Sequence, residues 1–275
     1  AIVGVNDSGK SSLLKLLSGF ENPNYGQVFI HGLDMEKRRC ETRQLIGYVP
    51  HDNDLDPWLT LEQNIRFTAN LYKVGKATAS SLIAKYSKAL GLSSYLNNYA
   101  MNVSNGTQKK TMLIRELVHN PDVLILDEPT GYMDAESIRH TWDLLKELKG
   151  DKTIIYVSNS LTEIEQAHDR ILVFHDGRIL MDGHLDKLLE STLDYHQFQV
   201  EFINLTDDLY KKLSNVSTVV SPNRLDNIFH FYGRTRTVFF DVIRAASDEL
   251  MVDLNVKKLG LRDLLDSEFA GKGLD

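Results

Sequence analysis

Apolar residues along this 275-residue chain change their spacing several times. Val123 to Leu126 is an unbroken apolar run closed by Asp127 and Glu128, the pattern of a central parallel strand covered on both faces. Thr153 to Val157 reads as a second such strand, and Ala1 to Val3 reads as the end of a third whose first residues lie upstream. Ser12 to Leu17 is helical, with Leu13, Leu14 and Leu17 on one face and Ser18-Gly19 as its stop. From Trp58 to Leu117 the spacing is mostly helical, marked by Ile65, Leu71, Leu82, Ile83 and Leu90, and Ser104 is placed to cap a helix from Asn105 to Val118. Residues 171–189 read as a strand, a tight Asp176-Gly177 turn, a second strand and a helix. Beyond about residue 196 the order becomes βαββαβ, the order of a small ferredoxin-like domain, and a short helix at 259–265 closes the chain.

The polar interruptions carry the chemistry. Residues 4–12, GVNDSGKSS, place Gly4, Gly9, Lys10 and Ser11 in the phosphate-loop pattern, between an apolar strand and a helix. A glycine-rich turn lets successive N–H groups reach phosphate oxygens, and the positive end of the following helix strengthens that field. Gly4, Val5, Asn6, Asp7, Ser8, Gly9, Lys10, Ser11 and Ser12 are therefore the expected ATP-binding set, with Lys10 on the β- and γ-phosphates and Ser11 on Mg²⁺. At the tip of the 123–126 strand, Asp127 is placed to hold the Mg²⁺ water shell, and Glu128 to orient or deprotonate an attacking water.

Two longer strings make the chain resemble the ABC ATPases. VLILDEPTGYMDAES at 123–137 is similar to their Walker B segment and D-loop, with Asp134 as the D-loop aspartate. VSNGTQKK at 103–110 is similar to their signature, retaining Ser104 and Gly106. The resemblance implies an α/β fold: a P-loop NTPase parallel-sheet core at residues 1–196 with an inserted helical subdomain at about 57–120, followed by a C-terminal ferredoxin-like domain at 197–275. It also implies ATP and Mg²⁺ as cofactors, a head-to-tail homodimer or heterodimer with another ABC ATPase subunit, and separate membrane-spanning transporter subunits as partners. Ser104 and Gly106 would then face the ATP held by the opposite subunit. The protein would be cytoplasmic, peripheral to the membrane through its transmembrane partner, and would power export.

Three positions depart from the family pattern. Asp7 stands where the phosphate loop usually has glycine, His51 takes the Q-loop position, and Asn159 takes the switch-histidine position. In the family the Q-loop residue contacts Mg²⁺ and the attacking water, so His51 joins both the metal-ligand and the catalytic sets. Asn159 can donate a hydrogen bond to a γ-phosphate oxygen but carries no proton or charge at neutral pH. These substitutions favour ATP binding over fast hydrolysis, and they open a second reading: a degenerate ATP-binding partner with little turnover. A third, a non-transport ABC protein acting on ribosomes or nucleic acid, usually carries tandem cassettes or long coiled-coil insertions, and this chain shows neither.

Composition narrows the field further. The balance of 31 basic and 38 acidic residues gives a net charge of −7, which argues against a broad nucleic-acid surface. No apolar run approaches the ~20 residues that cross a bilayer. The single cysteine, Cys40, excludes an internal disulfide.

Overall fold

A computed structural model describes the chain except for residues 5–6, 159–162, 164–168, 176, 185–195, 218, 234–236, 247–250 and 259–275. The chain divides into two compact units, Ala1–Leu180 and Met181–Asp275.

The first unit is built on a six-stranded sheet ordered β4-β5-β6-β1-β7-β8, whose last strand runs across the division between the units. Its strands are β1 (Ile2–Val3), β4 (Ile46–Val49), β5 (Val123–Asp127), β6 (Thr153–Val157), β7 (Ile171–His175) and β8 (Arg178–Gly183). The pairs β4–β5, β5–β6, β6–β1 and β1–β7 are all parallel. β5 explains why the sheet needs continuous apolar runs. Its Val123 and Ile125 enter a core with Ile2, Leu14 and Phe174. Its Leu124 and Leu126 enter the opposite core with Leu61, Ile65, Met112 and Trp142. All five β5 residues are buried, each apolar one contributing roughly 1.5–3 kcal/mol.

Helices α1 (Lys10–Leu17) and α2 (Arg39–Gln44) flank a two-stranded antiparallel ribbon, β2 (Phe29–Ile30) with β3 (Leu33–Asp34). α1 begins two residues earlier than its apolar pattern alone suggests, because Gly9 at φ 98° supplies the turn into it. The inserted helical region comprises α3 (Leu61–Leu71), α4 (Lys76–Ala89) and α5 (Asn105–Leu117). Thr60 opens α3 with a reciprocal capping box to Gln63. Ser104 accepts the Thr107 N–H at 3.2 Å to open α5. α6 (Ala135–Leu148) starts on Asp134, which accepts from the Ser137 N–H at 2.8 Å.

The second unit contains β9 (His196–Phe202), α7 (Asp207–Ser214), β10 (Val220–Leu225), β11 (Ile228–Gly233), α8 (Thr237–Ala245) and β12 (Met251–Lys258). Its sheet order is β10-β11-β9-β12, with every pair antiparallel, which is the ferredoxin-like arrangement. Alternate residues Phe198, Val200 and Phe202 of β9 and Phe229 and Phe231 of β11 pack with Leu209, Leu213, Val238 and Val242 from the helices. The helix read at 259–265 and the Asp176 turn residue lie outside the described residues, as does the helical stretch expected before 190.

Candidate functional site

Because β1, β4, β5, β6 and β7 run parallel, their carboxyl ends share one edge, where sites of such sheets form. The phosphate loop leaves β1 there, Pro50 and His51 leave β4, Asp127 and Glu128 close β5, and Ser158 follows β6.

In the phosphate loop, Gly9 has φ 98° and Asp7 has φ 62°. Asp7 thus holds a left-handed turn, as aspartate does more readily than most residues, and it is exposed. Gly4 admits no side chain, since a Cβ there would lie 2.0 Å from the Phe174 carbonyl oxygen. Lys10 is buried, and its amine donates to the Gly4 carbonyl at 2.9 Å. Burial lowers its pKa, while Glu128, Asp127 and Asp7 oppose that shift. Ser8 is buried with its hydroxyl unpartnered among the described residues, and Ser11 and Ser12 stand exposed at the start of α1. A loop that presents a buried ammonium, an unused hydroxyl and the N-terminus of a helix fits a triphosphate. Ser11 and Asp127 supply the oxygen donors that suit Mg²⁺. Val5, Asn6 and Asn159 lie outside the described residues.

At the tip of β5, Asp127 is 2% exposed. Glu128 sits at φ 48°, an uncommon backbone for a residue with a side chain, and its N–H donates to the Val157 carbonyl at 3.0 Å. His51 Nδ1 lies 3.5 Å from Glu128 Oε2, so the side chains leaving β4 and β5 meet.

The start of α5 and the segment leading into α6 also come together. A Cβ on Gly106 would fall 2.6 Å from the Tyr132 carbonyl oxygen, so only glycine allows that approach. Lys110 donates to Ser137 Oγ at 3.0 Å, and its pKa is lowered by burial. The Ser137 N–H lowers the pKa of Asp134. Ser104, Gly106, Lys110, Asp134 and His140 are among the residues lining a cavity of about 330 Å³.

Sequence reasoning missed several residues that hold this edge in place. Lys109 donates from one buried amine to the carbonyls of Pro50, His51 and Asp127, and burial lowers its pKa to about 8. Glu163, also buried, accepts from Thr130 Oγ1 at 2.5 Å and Ser158 Oγ at 2.8 Å, tying the segments after β5 and β6 together. Arg115 reaches Asp54 at 2.9 Å. Apart from Ser158 with Glu163, five positions apart, each contact joins residues 18 or more positions apart, and no periodic signal marks them.

Known proteins resemble this chain over much of its length. Residues 1–131 match the family described as ABC transporter. The ABC transporter ATP-binding protein NatA of Bacillus subtilis (strain 168) is 29% identical over 192 residues, 69% of this chain and 78% of that protein. The Nod factor export ATP-binding protein I of Burkholderia orbicola (strain AU 1054) is 31% identical over 193 residues, 70% of this chain; the match spans 64% of that relative's length, slightly under two thirds. A solved structure described as an ATP-binding subunit of an ABC transporter superposes with a TM-score of 0.64 at 25% identity, covering 69% of this chain and 80% of that one. The phosphate loop, the capped start of α5 and the carboxylate pair on the shared sheet edge all lie within residues 1–131, the part of the chain that matches the ABC transporter family.

Proposed function

We propose that this chain is the ATP-binding and ATP-hydrolysing subunit of an ABC exporter, working with separate membrane-spanning subunits. The observation that carries the reading is the gathering of the phosphate loop, Asp127, Glu128 and His51 on one carboxyl edge of a parallel sheet. Lys10 and the loop N–H groups bind the phosphates, and Ser11 and Asp127 would hold Mg²⁺, which supplies charge neutralisation on the phosphate oxygens when bound. Glu128 orients the attacking water and accepts its proton. Ser104 and Gly106, at the N-terminus of α5, face the nucleotide of a second ABC subunit in a head-to-tail dimer, either a copy of this chain or a paralogue. Export is supported by the printed name of the Nod factor relative, and location at the membrane follows from the partner subunits; among the described residues no helix is long and apolar enough to cross a membrane.

Asp7 and Asn159, with His51 beside Glu128, favour one second reading: a subunit that binds ATP and leaves turnover to a competent partner. Single-turnover hydrolysis by the purified chain, beside a Glu128→Gln control, separates the two. Active hydrolysis predicts a rate roughly 10²–10⁴-fold above the control; equal rates would leave only the binding role. A gain in rate from Asn159→His would identify the switch position as the limit on turnover, and no gain would remove it from that role.

A further inference from the structure

The ladder between β4 and β5 stops one step short of the site. Val49 pairs with Leu126, and the next pair would be Pro50 with Asp127. Pro50 has no N–H to donate, so the ladder cannot continue through it. The carbonyls of Pro50, His51 and Asp127 are left at the mouth of the gap. Lys109, 1% exposed, fills it from α5, with its Nζ 2.5 Å from Pro50 O and 2.9 Å from both His51 O and Asp127 O. An ammonium has three N–H donors and no acceptor, so these partners satisfy it completely. Buried carbonyls without a donor would cost roughly 1–3 kcal/mol each.

The position of the acceptors matters as much as their number. One belongs to His51, whose ring lies 3.5 Å from Glu128. Another belongs to Asp127, the residue directly before Glu128 and its left-handed backbone turn. Less than two helical turns further along α5, Arg115 grips the same loop again through Asp54. At its other end α5 packs through Gly106 against Tyr132, beyond Glu128 on the segment leaving β5. The loop after β4 and the segment after β5 are thus both anchored on one helix.

We propose that Lys109 is a positioning residue for the Asp127–Glu128 pair: it stands in for the missing ladder step, fixes His51 against Glu128, and makes the β4 exit, the β5 tip and α5 a single mechanical unit. This rests on the ATPase reading above. A residue that merely fills space would stabilise the unit as a whole. A positioning residue controls the geometry of the water-handling carboxylate and leaves phosphate binding, made by the separate loop after β1, intact.

The test uses the full chain with Lys109→Met, which keeps length and removes all three donors, and Lys109→Arg, which restores a charged donor. Steady-state ATP hydrolysis is expected to lose about 100-fold in kcat with Lys109→Met, the scale of a reacting group displaced by about 1 Å. KM for ATP should stay within about threefold, and Lys109→Arg should recover most of the loss. In hydrogen–deuterium exchange, Lys109→Met should accelerate peptides covering both 50–56 and 128–134 by about tenfold, leaving 10–17 unchanged. A rise in KM matching the fall in kcat, exchange that increases evenly over the unit, or acceleration of only one of the two segments would each overturn the proposal. Should the wild type show no turnover above Glu128→Gln, the hydrolysis reading fails, and the exchange result still decides the clamp. If Lys109→Met does not fold, Lys109→Gln, with two donors, takes its place in the exchange measurement with the same two segments diagnostic.

Discussion

The two sheets of this chain bury similar strands and do different things with the strand ends. In the parallel sheet, the carboxyl ends of β1, β4, β5 and β6 emerge on one edge, and Lys10, His51, Glu128 and Ser158 gather there. In the antiparallel sheet, neighbours β10, β11, β9 and β12 run in opposite directions, so polar ends from successive strands are sent to opposite edges. Strand direction therefore decides whether a sheet concentrates functional groups or disperses them. The packing follows the same division. β5 is covered on both faces, whereas β9 and β11 bury alternate residues on one face against helices.

If that contrast is right, substitutions at the parallel edge should change chemistry more than stability, and core substitutions in the antiparallel sheet should do the reverse. The largest effect expected is from Glu128→Gln, which should lower single-turnover hydrolysis by up to ~10⁴-fold, about 5.5 kcal/mol on the barrier, with little change in melting temperature. Fluorescent-nucleotide binding and calorimetry check both halves. Next, Phe231→Ala removes a fully buried ring that stacks on Phe198 at 4.9 Å between centroids. It should destabilise the second unit by about 3–5 kcal/mol in chemical denaturation, with nucleotide affinity unchanged within about twofold. A large loss of affinity would show that the two sheets are not independent. Glu163→Gln keeps the shape of the buried tie between Thr130 and Ser158 but removes its charge; a loss of about 1–3 kcal/mol in stability is expected. The smallest is Ser104→Ala, costing about 1 kcal/mol through the lost α5 cap, visible as a modest shift in urea midpoint. An additional drop in cooperative ATP turnover with Ser104→Ala would sharpen its assignment to the partner's nucleotide.

Legibility in the sequence divides along the same line. The β5 run, the phosphate loop and the βαββαβ order are local patterns, so spacing alone exposes them. Asp7 was readable too, since its φ of 62° is what its side chain tolerates. Lys109 was not. In sequence it belongs to a polar stretch, TQKKT, that looks like a solvated helix face, and only the fold reveals that the amine crosses to carbonyls 59, 58 and 18 positions away. Glu163 was hidden for the same reason, its Thr130 partner lying 33 positions upstream. What spacing cannot express is which long-range partner a charged side chain will find once the strands have been ordered.

The close crossing of Gly106 over the Tyr132 carbonyl also turns part of the molecule into an instrument. With no room for even a methyl group between them, the start of α5 and the segment leading into α6 have little freedom to slide past each other. Spin labels on exposed Asn105 and Glu136 should therefore report one constant separation whatever nucleotide is bound. That pair is a built-in ruler of zero change, against which movement measured anywhere else in the first unit can be calibrated.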